Sequence, residues 1–266
     1  METVFLKLGG SIITDKTQAE HARVDVIRRL AGEVRAALDA RPDLRLVLGH
    51  GSGSFGHVAA RRHGTRDGVR DAADWLGLAE VAAAAARLNQ IVTDVCLEQR
   101  VPVFSLPPSA SARCEDGRLR HLDTAVLRAL LQARLVPLVH GDVALDTVRG
   151  ATIVSTEDVF AYLADVVEPD RVLLAGEVDG VFADASLRGE VIPLITPQSA
   201  ARLAVGLGGS HGVDVTGGMA AKVRHMVDWA PRHPRATVRI FSAAEPGVLY
   251  RVLFDPSAPM GTVIRA

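Results

Sequence analysis

The chain has 266 residues, of which 48% are hydrophobic, 23% charged and 4% aromatic, and its formal net charge is −1 at pH 7. That hydrophobic share excludes general disorder, and a pI of about 6.8 leaves no basic field for nucleic acid. Two cysteines and nine histidines, scattered without HExxH or paired-cysteine spacing, exclude a disulfide framework and argue against zinc. The opening run METVFLKLGG carries a lysine and no small-residue cleavage site, and no stretch reaches membrane-spanning length. A cytoplasmic protein with no membrane partner is the expectation.

Thr3 to Leu8 reads as a short strand that breaks into Gly9-Gly10-Ser11 just after Lys7. A lysine between Leu6 and Leu8 at the end of a buried strand needs an anionic partner; the alternative is a solvated lysine before an ordinary turn. Lys16, in Ile12-Ile13-Thr14-Asp15-Lys16, is either a loop lysine in water or a phosphate ligand. Val24 to Ala40 has helical spacing in Val26, Ile27, Leu30, Val34 and Leu38, and Pro42 stops it before the strand Leu44 to Leu48. That βαβ unit delivers two glycine turns to the carboxyl ends of parallel strands, where open α/β sheets place ligands.

The second turn lies in LVLGHGSGSFGH, residues 46 to 57, with His50 and His57 bracketing it. Its glycines and serines leave backbone N–H groups free for an anion, and a histidine beside them can donate to a phosphate oxygen. A tight strand-to-helix turn without a ligand fits the same residues. Arg61 to Asp74 is polar and irregular, and a long helix follows from about Ala72 to Gln99. Val101 to Leu106 reads as a strand, and Ser109 to Gly117 as a loop with Cys114 in a polar turn. Arg118 to Leu122 and Gly150 to Val154 suit a small antiparallel extension. Thr124 to Ala133 is helical, and Val136 to Val139 is a buried strand ending in His140-Gly141-Asp142.

Ser155-Thr156-Glu157-Asp158 opens the next helix, and hydroxyl caps with acids in the first turn are ordinary helix chemistry for Ser155 and Glu157. A strand, Arg171 to Ala175, leads to Gly176-Glu177-Val178-Asp179-Gly180. Pro197 to Val205 is a short helix, Gly206 to Gly212 a linker, and Asp214-Val215-Thr216-Gly217-Gly218-Met219 opens a helix carrying Lys222. Ala236 to Phe241 and Gly261 to Ile264 close the chain as strands around a helix from Gly247 to Leu253. The expected fold is α/β: a mostly parallel central sheet sandwiched by helices, two lobes in one domain spanning 1–266.

Lys7-Leu8-Gly9-Gly10-Ser11, the His50 to His57 loop, His140-Gly141-Asp142, Val178-Asp179-Gly180-Val181 and Asp214 to Lys222 together resemble the amino acid kinase superfamily, in family order along the whole chain. Within it, Gly-Ser-Phe-Gly-His and Asp-Val-Thr-Gly-Gly-Met with its lysine are similar to the isopentenyl phosphate kinases. The resemblance implies ATP-dependent phosphorylation of isopentenyl phosphate, with Mg²⁺ as a second cofactor and a homodimer as the assembly. It implies an acceptor lobe at about 1–168 and a nucleotide lobe at 169–266. Lys7, Gly9, Gly10 and Ser11 would meet the ATP phosphates, Lys16 would stabilise the transferring group, and Gly218 and Lys222 would hold nucleotide from the other lobe. Asp158 would orient the lysines, Asp179 and Gly180 would line the nucleotide cleft, and Gly51, Ser52, Gly53, Thr156 and His57 would surround the acceptor phosphate.

Three positions depart from the family pattern: Ser52 for glycine, Thr156-Glu157 for Gly-Asp, and Gly176-Glu177 for Thr-Asp. Alternatives are a kinase of another small phosphate or phosphonate, as in the fosfomycin kinases, and a nucleotide-binding or storage protein on the same fold. Leu78, Ala82, Ala85 and Leu88 share one helical face, which is either a wall for the acceptor's hydrocarbon tail or a helix-packing surface.

Overall fold

The computed structural model describes residues 1–56, 68–183, 190–200 and 217–266. The first strand, β1 (Glu2–Leu8), alternates with period two between two buried faces. Val4, Leu6 and Leu8 enter one core and Phe5 the other. β2 (Leu44–His50) repeats the pattern, with Leu44, Leu46 and Leu48 on the first face and Val47 on the second. A sheet covered on both sides is the only arrangement that buries both sets.

Eight strands form that sheet. With β3 (Val103–Ser105), β6 (Val136–His140), β9 (Arg171–Gly176), β10 (Leu194–Ile195), β11 (Thr237–Ser242) and β12 (Thr262–Ile264), the order is β10-β12-β11-β9-β1-β2-β6-β3. All neighbours are parallel except β11 with β12. One face carries α1 (Gly10–Ile13), α2 (Val24–Ala40), much of α3 (Ala72–Glu98) and α7 (Val248–Phe254); of the predicted stripe α2 buries Ile27, Leu30 and Val34, with Val26 and Leu38 half-buried at its margins and Ala31 and Ala37 buried beside it. The other carries α4 (Ala125–Gln132), α5 (Thr156–Val167) and α6 (Gly217–Trp229). After β1 the chain steps to β2 on one side, and only later to β9 on the other, so the crevice between β1 and β9 is the topological switch point.

A second sheet of four strands joins β4 (Arg113–Glu115), β5 (Arg118–His121), β7 (Asp142–Asp146) and β8 (Gly150–Val154) in the order β5-β4-β7-β8. The expected direct pairing of Arg118–Leu122 with Gly150–Val154 is therefore wrong. Each runs in a hairpin with its own near neighbour, which places them at opposite edges. Asp146 fastens the two hairpins together, its carboxylate accepting from the N–H groups of Asp116, Gly117, Val148 and Arg149 at 2.7 to 3.1 Å. Cys114 lies in β4 rather than in a turn, and burial raises its thiol to about 11, as it raises that of Cys96 to about 12. Both stay protonated thiols. The linker expected at 206–212 and much of the helix expected at 197–205 lie outside the described residues.

Of the helix face expected beside the acceptor tail, Leu78 and Ala82 pack with Val81, Val143 and Ala151 against the small sheet, while Leu88 enters the main core. For these three, packing is the observed role. Among the described residues no helix is long and apolar enough to cross a membrane.

Candidate active site at the β1 and β2 termini

Strand parity decides where Lys7 points. It shares a face with Phe5, two residues before it, and Phe5 packs on Phe160 of α5 with ring centroids 5.1 Å apart. Glu157 lies three residues before Phe160, hence on the same side of α5, and forms a buried ion pair with Lys7; the two residues are 7% and 8% exposed. Opposite Lys7 in the register is Gly49, where a Cβ would lie 2.8 Å from both Phe160 and Thr156. Only a residue without a side chain lets α5 come this close to β2.

Burial alone would raise the Glu157 carboxyl, but Lys7 and then Lys222 outweigh it and hold it at about 2. Lys222, from α6, is pushed down by burial and then by Lys7, against the pull of Glu157, and Lys16 adds a smaller repulsion. Two ammonium groups, Lys7 and Lys222, thus act on one carboxylate whose Oε1 has no hydrogen-bond partner among the described residues. This is a field of excess positive charge, suited to an anionic ligand.

The acid beside the lysines is Glu157, not Asp158. Asp158 is the third residue of α5, and its carboxylate turns back to accept from the Ser155 N–H at 2.8 Å and the Ser155 hydroxyl at 2.6 Å, closing a capping box. His225 of α6 lies 4.0 Å from its other oxygen. Reading Glu157 as a first-turn acid of ordinary helix chemistry is corrected with it, because that position faces the sheet. The spacing of Glu157 to the apolar Phe160 was the available signal.

The two glycine turns meet. Gly9 donates to Ala175 O at 2.7 Å across the β1–β9 crevice. A Cβ on Gly10 would come within 2.7 Å of Gly53 Cα, and one on Gly51 within 2.7 Å of Gly10 N. Gly53 has φ +48, a left-handed conformation that glycine adopts without cost. The Gly51 N–H is held by Leu8 O at 2.9 Å and the Ser54 N–H by Thr14 Oγ1 at 3.0 Å, while Thr14 Oγ1 donates to Gly10 O at 2.7 Å. Among the described residues the N–H groups of Gly10 and Ser11 on one turn, and of Ser52 and Gly53 on the other, have no hydrogen-bond acceptor. Each pair opens a helical turn, where free amides favour anions. Ser52 in place of glycine therefore keeps its amide available.

His50 is corrected from phosphate donor to framework. It is 1% exposed and stacks on His140 with ring centroids 5.3 Å apart and planes 4° apart. Burial and then His140 push it down to about 3, and burial pushes His140 down to about 4, so both rings are neutral at neutral pH. His50 has Nδ1 3.1 Å from Gly51 O and Nε2 3.2 Å from Asn89 Oδ1 of α3; its one ring N–H donates to one of these oxygens, placing the ring beneath the turn that follows β2. Thr156 is likewise internal: it is 1% exposed and its hydroxyl donates to His50 O at 2.6 Å. Its side chain fills the space over Gly49, so it offers no side-chain contact to a ligand. His57 lies outside the described residues.

On the far side of the crevice, a Cβ at Gly176 would meet nothing within 4 Å, so the end of β9 is open. Glu177 is paired with Arg23 at 2.8 Å, and Asp179 is exposed beside it. A Cβ at Gly180 would lie 2.8 Å from Thr262 Oγ1, so this glycine is needed for the loop to pack on β12. Gly218 stands in the first turn of α6, one turn before Lys222. Lys16 is exposed at the tip of a small hairpin closed by the Thr14–Ala22 bridge.

Among the described residues no three His, Cys, Asp or Glu side chains gather as a metal site, and Glu157 is committed to lysine. These residues do not fit a protein-held divalent cation.

A family model described as the amino acid kinase family matches residues 2–242. The chain is 40% identical over 258 residues to an isopentenyl phosphate kinase of Haloferax volcanii, covering 94% of this chain and 99% of that one. It is 34% identical over 224 residues to an isopentenyl phosphate kinase of Methanocaldococcus jannaschii, covering 82% and 84%. An X-ray structure of isopentenyl phosphate kinase matches with a TM-score of 0.83 at 30% identity, over 99% of this chain and 100% of that one.

Proposed function

The chain belongs to the amino acid kinase family, and on that premise we propose that it transfers the γ-phosphoryl group of ATP to isopentenyl phosphate, giving isopentenyl diphosphate for isoprenoid synthesis. The observation that carries the acceptor is the likeness to isopentenyl phosphate kinases over nearly the whole chain. The paired turns support it, because two sets of free amides suit two phosphate-bearing ligands brought end to end.

In this reading Lys7 with the Gly9-Gly10-Ser11 turn takes the ATP phosphates, and Lys222 with Gly218 holds them from the nucleotide lobe. Asp179 and Gly180 border the nucleotide. Ser52 and Gly53 N–H groups, with His57, take the acceptor phosphate; Gly51 lets the turns touch. Glu157 orients Lys7 and Lys222, and Lys16 meets charge on the transferring group. Such a reaction needs positioning and charge neutralisation rather than covalent chemistry. A general base is unnecessary, since a phosphate monoester has its second ionisation near pH ~6 and is already nucleophilic at neutral pH. Mg²⁺ would enter with the ATP phosphates and neutralise part of their charge. An acceptor lobe at about 1–168, a nucleotide lobe at 169–266, a cytoplasmic location and a homodimer complete the proposal.

A panel of monophosphates, alcohols, carboxylates and fosfomycin incubated with ATP and Mg²⁺, read by ADP release, tests it. Turnover of isopentenyl phosphate is the expected result. Turnover confined to the other classes overturns the reading.

A further inference from the structure

Lys16 is held differently from the other lysines of the site. The hairpin that carries it leaves α1 through Thr14, which is fully buried, and returns through Glu20 to the start of α2. Its first limb is pinned by the Thr14 hydroxyl and by Asp15, whose carboxylate accepts from the Thr17 N–H at 2.8 Å and hydroxyl at 2.7 Å. Asp15 N–H donates to His21 O at 2.9 Å across the hairpin.

The returning limb has a longer reach. Glu20 sits at φ +51, an uncommon conformation for a residue with a side chain, which persists where surrounding contacts hold it. There its carboxylate receives both Nε of Arg87 at 2.8 Å and Nη2 at 2.5 Å. Arg87 projects from α3 next to Leu88, which is fully buried in the main core, so the guanidinium stands on a rigid support. The planar fork fixes direction as well as distance.

We propose that the Glu20–Arg87 ion pair is a positioning device for Lys16, docking the hairpin on α3 so that the Lys16 ammonium stays within the field of Lys222. This rests on the role given to Lys16 above. The Glu20 and Arg87 side chains are 39% and 52% exposed, so the pair contributes little to global stability. Its loss should therefore appear in turnover and not in melting.

The test is a set of variants measured for kcat, ATP KM and Tm. Arg87→Gln and Glu20→Gln should each lower kcat by about threefold to fivefold, the scale of one exposed ion pair, with ATP KM within about twofold. The double variant should lose no more than either single one, and Glu20→Arg with Arg87→Glu should recover most of the loss. In a Lys16→Met background, Arg87→Gln should have no further effect on kcat. Arg35→Gln, which removes an exposed arginine fork to Asp39 on α2, is the control and should leave kcat unchanged. Unaltered kcat in Arg87→Gln overturns the proposal, as does an equal loss with and without Lys16. If Lys16→Met itself keeps full kcat, the reading of Lys16 fails and this inference falls with it.

Discussion

Lys7 and Lys16 sit nine residues apart in sequence and are held by opposite means. Lys7 is immobilised by strand parity, by burial and by Glu157, and its environment is complete before any ligand arrives. Lys16 stands on an exposed hairpin whose returning limb is tied to α3 by a surface ion pair. A cation buried against its carboxylate serves ligand binding and transition state alike, whereas an exposed one held in place only by its support acts chiefly on charge that develops in the transition state. The proposed site would thus combine a rigid floor with a placed arm.

The largest effect should come from breaking the floor. Lys7→Met leaves Glu157 buried with its closest partner gone, and removal of one member of a buried pair costs about 3 to 5 kcal/mol. Urea unfolding should show that loss together with abolished turnover, and adding Glu157→Gln should restore stability but not activity. If the double variant is as unstable as Lys7→Met, the pair is not what holds this region.

Lys16→Met should lower kcat by about 100-fold while ATP KM and Tm stay close to the parent, as for loss of a group acting on developing charge. A rise confined to ATP KM would make Lys16 a second binding lysine and erase the contrast. His57→Ala should reduce acceptor kcat/KM about tenfold or more, a charge-assisted hydrogen bond being worth roughly 1.5 to 3 kcal/mol. Unchanged kinetics would return that histidine to a structural role.

Acid should sharpen the same comparison in smaller steps. Folding lowers His50 from 6.5 to about 3 and His140 from 6.5 to about 4, so the unfolded chain takes up these protons first. Stability is then complete above pH 6.5 and falls by about 1.4 kcal/mol per histidine per pH unit below it. Glu157, lowered from 4.5 to about 2, adds a second loss as pH drops from 4.5 toward 2. Tm against pH should therefore bend twice, with His140→Gln flattening the upper bend and Glu157→Gln the lower. Lys16→Met should leave both bends in place.

Much of this was legible in the chain itself. The spacing of Val26, Ile27, Leu30, Val34 and Leu38 marks α2, and the runs ending at Leu8 and Leu48 mark parallel strands that finish in glycine turns. These are local periodicities, written in neighbouring residues. A lysine between two buried leucines likewise announces an anionic partner, because an unpaired buried charge is costly. The identity of that partner was not local. Glu157 and Asp158 are adjacent and chemically alike, and only the packing of α5 on β1 sends one to Lys7 and the other back to its own helix cap. His50 offered the sequence signature of a phosphate donor, yet the pairing of β2 with β6 stacks it on His140 and seals both from water. The small sheet is the reverse case in part: Arg118–His121 and Gly150–Val154 each pair with a near neighbour in the chain, and only the β4–β7 contact that joins the two hairpins is long-range. Periodicity determines which face of an element is buried; what it is buried against is settled by residues far away in the chain, through contacts that exist only once the layers have closed.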